Sequence, residues 1–168
     1  MDLSKSKKIS VVGNSAAGKS TFSHKLGLSL GLDVFSIDKI YWLAGWRQQD
    51  PVVFKRLHDH WLRRDSWIID GVGYWAEMTR RFVESDCVIF MDVPMDVCKA
   101  RAETRIKQEQ LTENMHITAG CAYRDAKALQ MEVIENFHHE LRPRLLAYLS
   151  GFSAEKIRVT GDLDGVIF

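Results

Sequence analysis

At 168 residues, with 46% hydrophobic and 27% charged positions, the chain has the size and composition of one globular domain able to bury a core. A formal net charge of +1 supplies no basic field, which argues against a general nucleic-acid binder. Residues Met1 to Ser6 carry no apolar leader, and no run has the length of a membrane span, so the expectation is a cytoplasmic protein without membrane contact.

The first element is a β-branched strand over residues 7–12, and it runs straight into Gly13-Asn14-Ser15-Ala16-Ala17-Gly18-Lys19-Ser20. That is P-loop spacing: a glycine, four residues, then Gly-Lys-Ser. A helix follows from Thr21, with Phe22, Leu26 and Leu30 on its apolar face and Gly31 as its stop. A strand, a glycine turn and a helix together give the pattern a mechanism. The turn curls its N–H groups inward as an anion nest, and the helix start favours a phosphate. Gly13, Ser15, Ala16, Ala17, Gly18, Lys19, Ser20 and Thr21 are therefore the expected nucleotide contacts. Lys19 is expected to reach the β- and γ-phosphates as a catalytic cation, and the Ser20 hydroxyl to ligate Mg²⁺. The implied ligand is ATP with Mg²⁺.

A second strand over residues 33–38 ends in Asp38. Ligands in open parallel sheets sit beyond the carboxyl ends of strands, which places Asp38 near the P-loop if these two strands are neighbours. It then serves as a base for an acceptor hydroxyl or as an outer partner of Mg²⁺; the alternative is a helix N-cap. The aromatic run 39–46, with Tyr41 and Trp42, either stacks on a substrate ring or lines the underside of a lid. Asp50-Pro51 starts a helix to about Arg64, with Val53 or Phe54, Leu57 and Trp61 inward and His58 and His60 expected to face solvent.

Trp67-Ile68-Ile69-Asp70-Gly71 is the third strand and its turn, another acid at a strand end followed by a glycine where backbone can approach a ligand. A helix over about 76–84 carries Arg80 and Arg81, and an apolar fourth strand over 87–91 ends at Asp92, in the manner of a Walker-B acid. Pro94 opens a helix bearing Arg101 and Arg105 one turn apart, on one face. They either close over a transferring phosphoryl group or form a solvated face. The stretch 108–123 is polar, with a break at Gly120, and reads as a small lid. A long helix from Asp125, with Leu129, Val133, Phe137, Leu141 and Leu145 inward, should be interrupted at Pro143; Arg142 lies beside that break. A fifth strand over 156–160 precedes Gly161-Asp162. Five strands separated by crossovers imply an α/β fold: a five-stranded parallel sheet with helices on both faces. Cys87, Cys98 and Cys121, odd in number and far apart, are expected as packed free thiols.

These motifs resemble the adenylate-kinase-like branch of the P-loop kinases, and within it the bacterial topology modulation protein (FlaR-related) family. The resemblance rests on the P-loop, Ile37-Asp38, Tyr41-Trp42, Trp67-Ile68-Ile69-Asp70-Gly71, and Arg101 with Arg105, and it spans nearly the whole chain. It implies a nucleoside- or nucleotide-kinase-like domain over residues 1–168, with an acceptor segment at about 39–65 and a lid at about 101–124. It also implies γ-phosphoryl transfer from Mg-ATP to a small-molecule acceptor. Lys19, Asp38, Arg101 and Arg105 would be catalytic; Asp38, Tyr41, Trp42, Asp70, Gly71, Arg81 and Arg142 would hold substrate. Two departures stand out. Adenylate kinases carry Gly-Lys-Gly-Thr and Asp-Gly-Phe-Pro-Arg, where this chain has Gly18-Lys19-Ser20-Thr21 and Asp70-Gly71-Val72-Gly73-Tyr74, so AMP would lack its usual arginine. The second function class is a nucleotide-gated regulatory ATPase acting through a macromolecular partner. The pattern names neither the acceptor nor an oligomeric state.

Overall fold

The computed structural model describes residues 3–109, 118–153 and 156–161. Positions 110–117 of the expected lid and the stretch from Asp162 onward lie outside the described residues. Strand β1 (Lys8–Gly13) feeds helix α1 (Lys19–Leu30), which stops at Gly31 in a left-handed conformation with φ 66° and ψ 33°. Next come β2 (Val34–Ser36), the short helix α2 (Asp38–Tyr41), and a hairpin of β3 (Trp42–Leu43) and β4 (Arg47–Gln48). They lead to α3 (Pro51–Leu62), β5 (Trp67–Asp70), α4 (Trp75–Glu84), β6 (Cys87–Met91) and α5 (Met95–Glu109). A 3-10 turn, Tyr123–Ala126, opens α6 (Lys127–Asn136); a π turn, Phe137–Leu141, joins it to α7 (Arg142–Leu149), and β7 (Ile157–Thr160) follows.

The main sheet is five-stranded and parallel, in the order β2-β5-β1-β6-β7. Its strands alternate between two apolar layers because successive side chains point to opposite faces. Ile9 and Val11 pack with Phe22 and Leu26 of α1, Cys98 and Ala102 of α5, and Ile134 of α6. Val12, Val88 and Phe90 pack with Met78 and Phe82 of α4 and with Leu145 and Leu149 of α7. A third cluster seats Phe54 and Leu62 of α3 on Trp67 and Ile69. The three cysteines are free and buried. Among the described residues, no helix is long and apolar enough to cross a membrane.

Three readings are refined by the fold. The first and second strands are not neighbours, since β5 lies between β1 and β2. Asp38 still reaches the P-loop end because the Ile37 N–H donates to the Asp70 carbonyl at 2.8 Å, folding the end of β2 over that of β5. His58 does not face solvent. The inward stripe of α3 is Phe54, His58 and Leu62, one residue on from the predicted positions, since capping by Asp50 fixes the helix phase through the Val52 and Val53 amides. The long helix is interrupted beside Pro143, as expected: the π turn Phe137–Leu141 breaks the ladder just before α7, and Pro143 sits in the first turn of that helix. The π turn slips the phase so that Ile134, Phe137, Leu145 and Leu149 point inward.

Candidate active site

The P-loop is shaped by its close neighbours. A Cβ on Gly13 would lie 2.6 Å from the Met91 carbonyl oxygen, so only glycine lets β1 pass β6 at this point. Ala16 at φ 58° and Gly18 at φ 96° then turn the chain into α1 through left-handed backbone. No side chain caps α1 and no acid sits in its first turn, so its leading amides suit an anionic ligand. Asn14, buried, pins the loop: its Nδ2 donates to the Ile134 carbonyl at 3.0 Å and its Oδ1 accepts from the Ser15 N–H at 2.7 Å. The Asn14 carbonyl accepts from the Ala17 N–H at 3.2 Å and from Lys19 Nζ at 2.8 Å. Lys19 thus lies folded back along the loop.

Arg101 and Arg105 of α5 both reach this loop. Arg101 Nη1 donates to the Ala17 carbonyl at 3.4 Å. Arg105 Nη2 donates to Gln130 Oε1 at 3.2 Å, the same oxygen that accepts from Ser15 Oγ at 3.3 Å. Ser20 and Thr21 are exposed at the start of α1.

Asp38 and Asp70 face this cationic group across the strand ends. Desolvation lowers the Lys19 pKa, opposed by the charges of Asp38 and Asp70. Desolvation also raises the Asp38 carboxyl above its usual range, helped by Asp70 and opposed by Lys19 and Arg105. Asp38 remains open to the water of the cleft while protein surrounds its other sides, so that water moderates the rise. Its side chain caps no helix, so the N-cap alternative is not realised. Asp70, 2% exposed, ends β5 directly beside Val11 of β1. Gly71 follows at φ 109°, where a Cβ would lie 2.8 Å from the Ile37 Cβ.

Beside Asp38 stands an aromatic wall. The Tyr41 ring meets Trp42 edge-on at 4.8 Å and Tyr74 at 5.1 Å, and the Tyr74 hydroxyl donates to the Gln49 carbonyl at 2.5 Å. Burial raises the Tyr41 pKa, and the nearby Tyr74 and Asp38 add to it.

In its chain path this protein is similar to a shikimate kinase from Bacteroides thetaiotaomicron, with TM-score 0.50 and 14% identity over 86% of this chain and 82% of that one. A shikimate kinase from Acinetobacter baumannii, solved in complex with shikimate, has TM-score 0.49 and 17% identity over 86% of this chain and 96% of that one. The shared feature is the fold, a parallel sheet flanked by helices with a P-loop after the first strand. No family model matches the sequence, and no curated protein matches it either.

Within this fold, Lys19, Asp38, Asp70, Arg101 and Arg105 converge at the carboxyl ends of β1, β2 and β5, with Tyr41 and Trp42 alongside. Two arginines expected at the substrate have other places. Arg81 has no exposed surface; its Nη2 donates to the Gly71 carbonyl at 2.6 Å from behind the turn, and burial brings its pKa down to about 9 against the pull of Asp70. Arg142 forks onto both Asp92 oxygens at 2.6 Å, a bidentate pair that also occupies the acid expected as the Walker-B group. With Asp92 so occupied, Asp38 and Asp70 are the strand-end acids that face Lys19. Sequence reasoning missed Asn14 and Gln130. Asn14 stands at a variable position inside the motif, and Gln130 approaches only because α6 packs on α5.

Proposed function

We propose that the chain is an ATP- and Mg²⁺-dependent phosphotransferase that acts on a hydroxyl of a small molecule. The observation that carries this reading is the coupling of Lys19, Asp38 and Asp70 at the mouth of an uncapped P-loop helix. The left-handed Ala16 and Gly18, the open first turn of α1 and the exposed Ser20 fit a bound Mg²⁺-triphosphate. Such a ligand supplies the phosphoryl group and the metal charge that offsets it.

In this reading the loop amides and Lys19 bind the phosphates, while Arg101 and Arg105 lie over their outer end. Asp38 accepts the proton of the acceptor hydroxyl, and its raised pKa suits a base nearer neutral pH than an ordinary aspartate. Tyr41 and Trp42 supply a face on which a ring can stack, and Asp70 with Gly71 borders the acceptor. A hydroxyl acceptor without its own phosphate fits best, since Arg80 is held by Asp59 and Glu77 and Arg142 by Asp92, while Arg81, whose Nε and Nη1 have no partner among the described residues, has no exposed surface. Of the motifs that resemble the topology modulation family, Asp38, Tyr41, Trp42, Asp70 and Gly71 lie at this site, which supports placing the chain beside that family as a kinase.

The test is ADP release from Mg-ATP with a panel of nucleosides, nucleoside monophosphates and neutral or charged hydroxyl metabolites. ADP formed with one acceptor, and preferentially with a non-phosphorylated one, is the expected result. Slow ADP release that is equal with every compound would replace the kinase with the regulatory ATPase and turn the search to macromolecular partners.

A further inference from the structure

The β3–β4 hairpin is fastened to residues 118–123, the segment that leads into α6. The Gly45 N–H donates to the Gly120 carbonyl at 2.9 Å, and Thr118 Oγ1 donates to the Asp38 carbonyl at 3.2 Å. The Cys121 thiol donates to the Leu43 carbonyl at 3.2 Å, and the Trp46 indole N–H to that of Ala122 at 3.1 Å. Trp46 makes this contact from left-handed backbone, φ 58°, a conformation that is unfavourable for a bulky residue and persists only where the surroundings impose it.

From there a chain of rings crosses the cleft. Trp42 meets Trp46 edge-on at 5.5 Å, Trp46 meets Tyr123 at 5.2 Å, and the Arg105 guanidinium lies over the Tyr123 ring at 3.7 Å. Arg105 is tied on its other side to Gln130 and so to Ser15 of the P-loop, while among the described residues its buried Nε has no hydrogen-bond partner. The guanidinium is therefore held between the acceptor hairpin and the phosphate loop, with donor capacity to spare.

We propose that Tyr123 and Trp46 are positioning residues that set Arg105 over the outermost phosphate of the nucleotide, so that the acceptor hairpin and the donor phosphate share one support. This rests on the kinase reading. Its distinctive consequence is that the two aromatic residues affect recognition of the γ-phosphate and not of the rest of the nucleotide.

The test is calorimetric titration of the protein with Mg²⁺-ADP and with the magnesium complex of a non-hydrolysable imido analogue of ATP, without any acceptor. Tyr123→Leu should reduce the preference for the analogue over ADP by about 10-fold, the scale of a well-seated cation–π contact. Tyr123→Phe, which keeps the ring, should restore it. Trp46→Leu should reduce the same preference by about 3-fold, and the double variant should be no worse than Tyr123→Leu alone. If Tyr123→Leu does not fold, Trp46→Leu carries the test alone. An unchanged preference in the folded variants, or equal loss of both nucleotides, would overturn the proposal and leave the kinase reading standing. Failure of the wild-type protein to bind either nucleotide would overturn both.

Discussion

The two sides of the cleft are built in opposite ways. The donor side is made by backbone: left-handed Ala16 and Gly18, an uncapped helix start, and a glycine at position 13 that no other residue could replace beside Met91. Its turn follows from local glycine placement, and in the proposed function its phosphates are bound by amides that any residue supplies. The acceptor side is made by side chains brought from far apart, with Asp38 against Tyr41, Tyr74 from the β5–α4 turn, and Arg81 and His58 enclosed behind. It depends on buried polar groups whose environment is set by packing. A backbone cradle tolerates change in its neighbours, whereas a packed polar wall does not.

The strongest way to break that comparison is at Lys19. Lys19→Ala should reduce turnover roughly 10³-fold while the circular dichroism spectrum and melting temperature stay near wild type, because the Lys19 ammonium returns to the Asn14 carbonyl of its own loop. Rapid turnover in that folded variant would remove the donor assignment. Asp38→Asn comes next. Transfer should fall about 10²-fold or more while nucleotide affinity stays within a few-fold. In the wild type, the acid limb of kcat/KM should lie above 3.8, since the carboxyl is raised from that value and loses its basic form earlier as pH falls. Wild-type transfer by the Asn variant would return Asp38 to a structural role.

The acceptor wall can be probed through stability alone. Asp70→Ala should cost about 2 kcal/mol in urea unfolding, because it removes a carboxylate whose charge favours the enclosed Arg81 guanidinium without a direct ion pair. A loss under ~1 kcal/mol would mean that Arg81 is neutralised by some other group. The smallest expected effect is at His58, which has no exposed surface and a pKa pushed down to about 3, chiefly by burial and then by Arg81. The unfolded chain takes up a proton near pH 6.5 that the folded one refuses until about 3. Stability from this site is therefore whole above pH 6.5 and declines between 6.5 and 3, by about 2 kcal/mol at pH 5. The urea midpoint of wild type should fall relative to that of His58→Met as pH drops across that range; a constant difference would contradict a buried neutral imidazole.

The contrast also explains what could be read without coordinates. The P-loop, the five parallel strands and the stop at Gly31 are written in short stretches, where spacing and glycine placement decide the backbone. Arg101 and Arg105, one turn apart on α5, were legible as a pair because helix geometry alone puts them on one face. His58, Arg81 and Arg142 were not. Each lies in a polar-looking surface pattern, and whether it meets water, a carbonyl or a carboxylate depends on an element tens of residues away. Asn14 and Gln130 escaped notice for the same reason: their partners come from α6 and α5.

The sequence by itself determined the donor half of this protein, since a glycine-patterned turn between a strand and a helix forms its anion nest from local backbone torsions. Tertiary structure alone decided the acceptor half. Inserting β5 between β1 and β2 set which acids face Lys19, and packing of α3, α4 and α7 chose which arginines were enclosed or paired. Those choices are made by burial and charge compensation between distant segments, and no local pattern encodes them.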